Sequence, residues 1–367
     1  MTVDIGFFLP SFDIGGAERV TINLANGFAN RGYSVDLVLP SPQGLLRTEV
    51  DPRVRVVDLQ SLPFPGYTRL GDIPFLMRYL RRTTPTWFYT AMNHINVPNL
   101  IAWNLARVPT QIIVTEHIDP RVAVVNSTKN RFVYAAAKEL YSTAGKLVAV
   151  SDGVVEGLSD IVGVDRDAIT RIYNPIVSET LRERSMEPLN HKWFSSDDYK
   201  VVLGIGRLSE QKQFSDLVEA VSLLADESVR LVLIGDGPKR DELASRIAEL
   251  GLSSSSELLG YVDNPYQYMR NASVTALPSI REGFGNVLVE AMACGCPVVA
   301  TDCPSGPAEI LDNGEYGRLV SVGNPSALAA AIGETLEEPV DEDKLITRAS
   351  DFSIKAAVDQ YERLLWG

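Results

Sequence analysis

Two carboxylates, Glu282 and Glu290, stand eight residues apart on either side of a glycine-bearing turn, Gly283-Phe284-Gly285-Asn286-Val287. Eight residues of helix rise about 12 Å, so the pair is too far apart to act as a close acid–base dyad. The spacing suits gripping two ends of one long ligand. Gly283 and Gly285 let the backbone come close to that ligand and would present amide N–H groups to it. Val287, Leu288, Ala291 and Met292 predict a helix that starts here with one apolar side. Its N-terminal dipole favours an anionic or hydroxyl-rich group. A plainer reading is also open, with Glu290 an exposed helix residue and Glu282 an early-turn charge that suits the dipole.

Arg207 and Lys212 follow the apolar run 201–205. The turn is not a dinucleotide fingerprint, because Ser209 stands where the third glycine belongs. Two cations just past a strand end can instead neutralise a diphosphate. Two cations for a diphosphate, one carboxylate for a ribose diol, and a second carboxylate with backbone amides for a sugar add up to a nucleotide-diphospho-sugar. Fixed cations and dipoles would stabilise the charge on its leaving group. No Asp-x-Asp lies at a strand end to hold a divalent ion, so metal-independent chemistry with no cofactor is the expectation. His117 ends a buried-type strand, 112–117, and Pro120 closes the turn after it, which suits a ligand-facing imidazole, with a purely structural histidine as the alternative. Gly15-Gly16 sits between the first strand and a helix carrying Val20, Leu24 and Phe28 on one face. At that place it reads as another close approach of backbone to ligand.

The elements that position these residues alternate in βα rhythm. Strands at 3–10 and 33–40 flank the first glycine loop and its helix, which implies a parallel sheet. Further strands fall at 87–91, 112–117 and 146–151. Asn174-Pro175 marks a boundary. A second series has strands at 201–208, 229–234, 257–259, 274–277, 297–301 and 318–320. The expected fold class is α/β, with two Rossmann-like domains whose parallel sheets face across a cleft. Residues 1–175 would form an acceptor-binding domain. Residues 176–350 would form a nucleotide-sugar-binding domain, with 176–199 as linker and partial helix. Residues 351–367 would be a terminal helix crossing back to the first domain. The stretch 62–67 reads as irregular. The segment 73–82 is a helix with apolar and basic sides, able either to lie on a membrane surface or to face a core.

With 367 residues, 45% of them hydrophobic, the chain is long enough for two ordinary cores. No apolar run reaches the length of a membrane span. The start, Met1-Thr2-Val3-Asp4, lacks a basic segment ahead of an apolar stretch. Three clustered cysteines, Cys294, Cys296 and Cys303, fit small core positions in a reducing compartment. The net charge of −13 makes nucleic acid an unsuitable partner. The charge is uneven. Residues up to Arg171 carry 17 Lys and Arg against 16 Asp and Glu, and the rest 17 against 31. The first half holds basic patches (Arg69, Arg78, Arg81 and Arg82; Arg121, Lys129, Arg131, Lys138 and Lys146) suited to an anionic membrane surface. A cytoplasmic protein, peripheral on the inner face of the membrane, is expected.

Several segments together resemble family-4 retaining glycosyltransferases of the GT-B fold: Gly15-Gly16-Ala17-Glu18-Arg19, Gly206-Arg207-Leu208 with Lys212, Leu233-Ile234-Gly235-Asp236-Gly237-Pro238, and Gly260-Tyr261-Val262. The most specific is 281–295, whose Glu, seven residues, Glu pattern is the family's signature. The resemblance covers essentially the whole chain and implies retaining, metal-independent sugar transfer from a nucleotide sugar. It implies that His117, Glu282, Arg207 and Lys212 form the catalytic set. Arg207 and Lys212 would bind the diphosphate and Glu290 the ribose hydroxyls. Glu282 and the amides of Phe284 and Gly285 would hold the donor sugar, within a donor loop 283–287 that includes Asn286 and Val287. Tyr261 and Val262 would meet the base, largely through backbone, and Gly15 and Gly16 would pack against phosphate and acceptor. His117 would approach the sugar. The departing diphosphate itself would deprotonate the acceptor. Thr115-Glu116-His117 and 302–307 look most like bacterial enzymes extending polyprenyl-diphosphate glycans or surface polysaccharides, commonly from UDP-sugars and often UDP-N-acetylhexosamines. The alternatives are the same fold acting on a soluble small-molecule acceptor, or a GT-B-like sugar-nucleotide epimerase.

Overall fold

The computed structural model describes residues 2–13, 15–61, 69–125, 127–224 and 226–367, so the stretch 62–67 lies outside the described residues. The chain divides into two compact units, Met1–Pro175 with Ile354–Gly367, and Ile176–Ser353.

The first unit holds seven parallel strands, β1 (Ile5–Phe8), β2 (Val35–Leu39), β3 (Arg55–Asp58), β4 (Trp87–Ala91), β5 (Gln111–Glu116), β6 (Lys146–Ala149) and β7 (Ile169–Arg171). Their order is β3-β2-β1-β4-β5-β6-β7. The helices are α1 (Gly16–Asn30), α2 (Ile73–Thr83), α3 (Asn93–Ala106), α4 (Pro120–Val125), α5 (Thr128–Leu140) and α6 (Asp152–Val162). β1, β2 and β4 are buried along their whole length, as expected of parallel strands covered on both faces. Strand order reverses between β1 and β4. Chain direction therefore diverges there, leaving a crevice at the carboxyl ends of those strands.

Sequence pattern alone does not mark β3, since only Val56 and Val57 are apolar and both are half-buried. Its pairing with β2 brings Arg55 onto the buried Asp36 through two bonds of 2.7 and 2.6 Å. Tyr79 Oη donates to the same carboxylate at 2.7 Å. That contact decides the amphipathic segment: α2 turns Leu76, Tyr79 and Leu80 inward and leaves Arg78, Arg81 and Arg82 exposed.

The second unit has six parallel strands, β8 (Lys200–Ile205), β9 (Val229–Ile234), β10 (Ser256–Gly260), β11 (Val274–Leu277), β12 (Val298–Thr301) and β13 (Arg318–Val320), in the order β10-β9-β8-β11-β12-β13. Here the reversal falls between β8 and β11. The helices are α7 (Glu179–Ser185), α8 (Phe214–Leu223), α9 (Arg240–Glu249), α10 (Tyr266–Asn271), α11 (Asn286–Ala293), α12 (Pro307–Ile310), α13 (Pro325–Glu337) and α14 (Glu342–Ser350). α7 occupies part of the stretch read as linker, started by Ser178 Oγ accepting from the Leu181 N–H at 3.0 Å. α11 buries Leu288, Val289, Ala291 and Met292, while Val287 is only half-buried, so its apolar face is shifted from the one read in the sequence. All three cysteines are free and buried.

The last helix, α15 (Ile354–Trp366), belongs to the first unit and packs on α1. Gly27 is needed there, because a Cβ at that position would lie 2.7 Å from both Ile354 and Val358. Tyr361 meets the rings of Phe28 and Tyr89, and Trp366 stacks on Tyr33 at 4.8 Å. Each such pair contributes about 0.5–1.5 kcal/mol beyond its burial.

Candidate active site

In the second unit the loops that follow β8 and β11 flank the crevice at the strand-order reversal. They are bonded to each other through Ile280 N–H to Gln211 O and Gln211 Nε2 to Arg281 O, both at 3.0 Å. Across this seam Lys212 Nζ donates to Glu282 Oε1 at 2.6 Å, and Ser279 Oγ donates to the same oxygen at 2.6 Å. The two charged side chains are 17% and 9% exposed. Such a shielded, hydrogen-bonded pair is held far more firmly than a surface one. Thr301 Oγ1 donates to the carbonyl of Ser279 and fixes the turn from below. Arg207 is exposed at the end of β8. Among the described residues the site thus presents one held cation, one exposed cation and a carboxylate with its second oxygen to spare.

The turn continues through Gly283 into Phe284, which is 3% exposed, and Gly285, the N-cap of α11. Gly285 has φ +104, a conformation that side chains resist. Asn286 and Val287 open the helix, and Glu290 follows on its half-buried side. Only the stretch from Asn286 onward is helical, so the Glu282–Glu290 spacing is part turn and part helix. Tyr261 leaves β10 as a 53% exposed residue, and Val262 is half-buried beside it.

In the first unit the corresponding edge carries Gly15 and Gly16 after β1, Asn93 after β4 and His117 after β5. Gly15 caps α1 with extended backbone, φ −154° and ψ 152°. A Cβ on Gly15 would lie 2.0 Å from Glu18 Oε2, so the Glu18 carboxylate covers this turn. Burial raises the Glu18 pKa above its usual range, and the charge of Asp13 adds to the shift. Arg19 braces the loop by gripping Glu49 at 3.0 and 3.1 Å.

His117 is 9% exposed, and its Nε2 has no partner among the described residues. Burial pushes its pKa down to about 4, so the ring is neutral at neutral pH and offers a hydrogen bond rather than a charge. Its neighbours are pinned on both sides. Glu116 is fully buried and accepts from Asn96 Nδ2 at 3.1 Å, from Tyr134 Oη at 3.4 Å and from Tyr141 Oη. Asp119, also buried, is gripped by Arg121 through Nη2 at 2.8 Å, and a Cβ on Gly157 would strike it. Asn93 is also buried at this edge, with its side chain hydrogen-bonded to Tyr134.

Lys212 and Glu282 are therefore brought into direct contact. Arg207, Tyr261, Val262 and 283–290 share their unit, and Gly15, Gly16 and His117 share the other. Glu18, Asn93, Ser279 and Thr301 are site residues that spacing did not single out. Ser279 had one signal, a hydroxyl three residues before Glu282. Asn93 had none, since its placement depends on Met92 at φ +74. Among the described residues no group of three or more His, Cys, Asp or Glu is disposed to hold a metal ion, and no helix is long and apolar enough to cross a membrane.

Solved structures with this architecture are glycosyltransferases of the GT-B fold. HepE of Anabaena in complex with UDP-glucose matches with a TM-score of 0.79 over 98% of each chain, at 23% identity. The lipopolysaccharide outer core galactosyltransferase WaaB matches at 0.73 over 99% of each, at 20% identity. Two family profiles match in sequence, glycosyltransferase family 4 at residues 14–180 and glycosyl transferases group 1 at 186–352. The N-acetylgalactosamine-N,N'-diacetylbacillosaminyl-diphospho-undecaprenol 4-alpha-N-acetylgalactosaminyltransferase of Campylobacter jejuni is 30% identical over 98% of this chain and 99% of its own. The lipopolysaccharide core biosynthesis glycosyltransferase LpsE of Rhizobium meliloti is 27% identical over 95% and 92%. The chain belongs to glycosyltransferase family 4 and is a nucleotide-sugar-dependent glycosyltransferase.

Proposed function

We propose that this enzyme moves a sugar, with retention and without a metal, from a UDP-sugar to a glycan carried on a polyprenyl diphosphate. The observation that carries the reading is the Lys212–Glu282 pair at the strand-order reversal, with Arg207 open beside it. Lys212 and Arg207 take the diphosphate, filling the role a divalent ion has elsewhere. The free lone pairs of Glu282 and the amides of Phe284 and Gly285 take sugar hydroxyls, and Glu290 takes the ribose. Tyr261 and Val262 lie against the base. The bond from the anomeric carbon to the diphosphate breaks, the acceptor oxygen bonds to the same face of that carbon, and its proton passes to the leaving phosphate oxygen. Neutral His117 hydrogen-bonds the donor sugar as charge develops. Residues 1–175 serve the acceptor and 176–350 the donor.

The acceptor and the sugar are favoured by the Campylobacter jejuni relative, whose name describes N-acetylgalactosamine transfer onto a diphospho-undecaprenol glycan. Surface chemistry agrees. Ile118, Val125 and Phe132 are 43%, 71% and 73% exposed, with exposed Lys129, Arg131 and Lys138 near them in the chain. Apolar side chains among cations suit an anionic bilayer surface. The test begins with thermal shift against UDP, GDP and ADP, because a ligand of the native state raises its stability. UDP is expected to give the largest shift. Transfer from UDP-N-acetylgalactosamine to a polyprenyl-diphosphate glycan, unchanged in excess chelator, is expected next. Conversion of the donor alone, or transfer only on adding Mg²⁺, would overturn the reading.

A further inference from the structure

The donor loop is held from behind by side chains outside the set just assigned. Phe284 points its ring at Phe352, with centroids 5.5 Å apart and planes at 66°. Phe352 is 1% exposed. The Arg348 guanidinium lies 5.0 Å from the Phe352 ring centroid. The same guanidinium donates to Ile310 O at 3.0 Å and Glu309 O at 2.6 Å, closing the carbonyl end of α12. At its other end α12 begins beside Gly306, at φ +99, where a Cβ would lie 1.8 Å from the Phe284 carbonyl oxygen. Loop, α12, Arg348 and Phe352 thus form a closed ring of contacts around Phe284. Phe352 is itself anchored, since its carbonyl accepts from Ile176 N–H at 2.9 Å and Val177 N–H at 3.1 Å.

We infer that Phe352, clamped by Arg348, is a positioning residue that aims the Phe284 and Gly285 amides at the donor sugar. The inference rests on the proposed reading of that loop as the sugar cradle. The amides have no side chain to steer them, and glycines on both sides of Phe284 leave the backbone soft. The seated Phe284 ring is the rigid point, and Phe352 is its seat. Hydrogen bonds from amides are directional, so tilting the loop loses them. A misplacement of about 1 Å can reduce turnover on the order of 100-fold. The ribose end is gripped further along α11, at Glu290, so a tilt of the turn ahead of Gly285 displaces the sugar end more than the ribose end.

The test compares Phe352→Leu and Arg348→Met with wild type, using calorimetric Kd values for UDP and UDP-N-acetylgalactosamine and steady-state kinetics. For both variants UDP affinity is expected to stay within about twofold, while the UDP-sugar Kd rises about tenfold and kcat falls 10- to 100-fold. Should Phe352→Leu fail to fold, Arg348→Met, which leaves the ring in place, carries the same expectation. Equal loss of UDP and UDP-sugar affinity, or an unchanged ratio with lowered thermal stability alone, would mean a purely structural role and overturn the inference. A wild-type protein that bound neither ligand would overturn the donor reading itself, and this inference with it.

Discussion

At the carboxyl edge of the second sheet, Lys212 and Glu282 already satisfy each other, with Ser279 on the same oxygen. At the corresponding edge of the first sheet, His117 Nε2 is buried with no partner among the described residues. Both edges are built the same way, from loops after parallel strands near an order reversal. One is charged, with its central ion pair already formed. The other is neutral and incomplete. On the proposed reading the contrast reflects what each handles. Charge on a leaving diphosphate needs cations whose positions do not change during reaction, and a pre-formed ion pair supplies that. Sugar hydroxyls need directional neutral partners, and a buried unmet donor, which costs about 1–3 kcal/mol, gains from a ligand that satisfies it.

The sharpest way to break the comparison is Lys212→Met. It removes the cation proposed to meet the leaving group and strands the Glu282 carboxylate, and kcat/KM is expected to fall on the order of 10²–10³-fold. A loss below tenfold in steady-state assays would mean that this edge does not bear the developing charge. Next comes His117→Ala, expected to lower kcat roughly 10²-fold while UDP Kd stays within about twofold. Glu290→Ala should do the reverse, weakening UDP about tenfold with a smaller change in kcat. Calorimetry beside kinetics checks both, and equal binding loss in the two variants would erase the division of labour. Because burial holds His117 neutral above about pH 4, no His117 limb is expected in the rate profile between pH 6 and 8.

The smallest expected effect on turnover comes from Glu116→Gln, which instead reads stability. Burial raises the Glu116 pKa to about 7, against an unfolded value near 4.5, while hydrogen bonds from Tyr141, Asn96 and Tyr134 oppose the shift. The folded state keeps its proton where the unfolded state has lost it. Stability from this group is therefore full below about pH 4.5 and is lost as pH rises through 7, by ~3 kcal/mol. His117, with its lowered pKa, acts in the opposite sense, since its contribution is lost as pH falls from about 6.5 towards 4. The difference between Glu116→Gln and wild type isolates the carboxylate. The variant's Tm is expected to gain on wild type between pH 5 and pH 8, and a gap independent of pH would contradict a buried, protonated Glu116.

The charged edge was the more legible of the two in sequence. Arg207, Lys212 and Glu282 fall just past apolar runs, and local spacing is enough to find such residues. The neutral edge was less so. His117 is visible as the end of a strand, but the bonds that pin Glu116 come from Asn96, Tyr134 and Tyr141, 20, 18 and 25 residues away. No period or motif encodes that meeting. β3 was missed for a similar reason. Its two valines make a weak strand signal, and Arg55 reaches a buried carboxylate that only sheet pairing brings near. The two-sided helix 73–82 stayed ambiguous until Tyr79 found Asp36. Local pattern located the elements, and long-range polar contacts decided their orientation.

The packing of α15 on α1 has a bearing on biogenesis. Gly27, Phe28 and Tyr33 lie near the start of the chain, yet the side chains that cover them come from Ile354 onward. On the ribosome, all of Ile176–Ser353 must emerge before that cover is made. The half that is translated first is thus the half that finishes last. Its apolar surface around Phe28 stays open through synthesis of the other unit, which makes that surface the natural client of a chaperone.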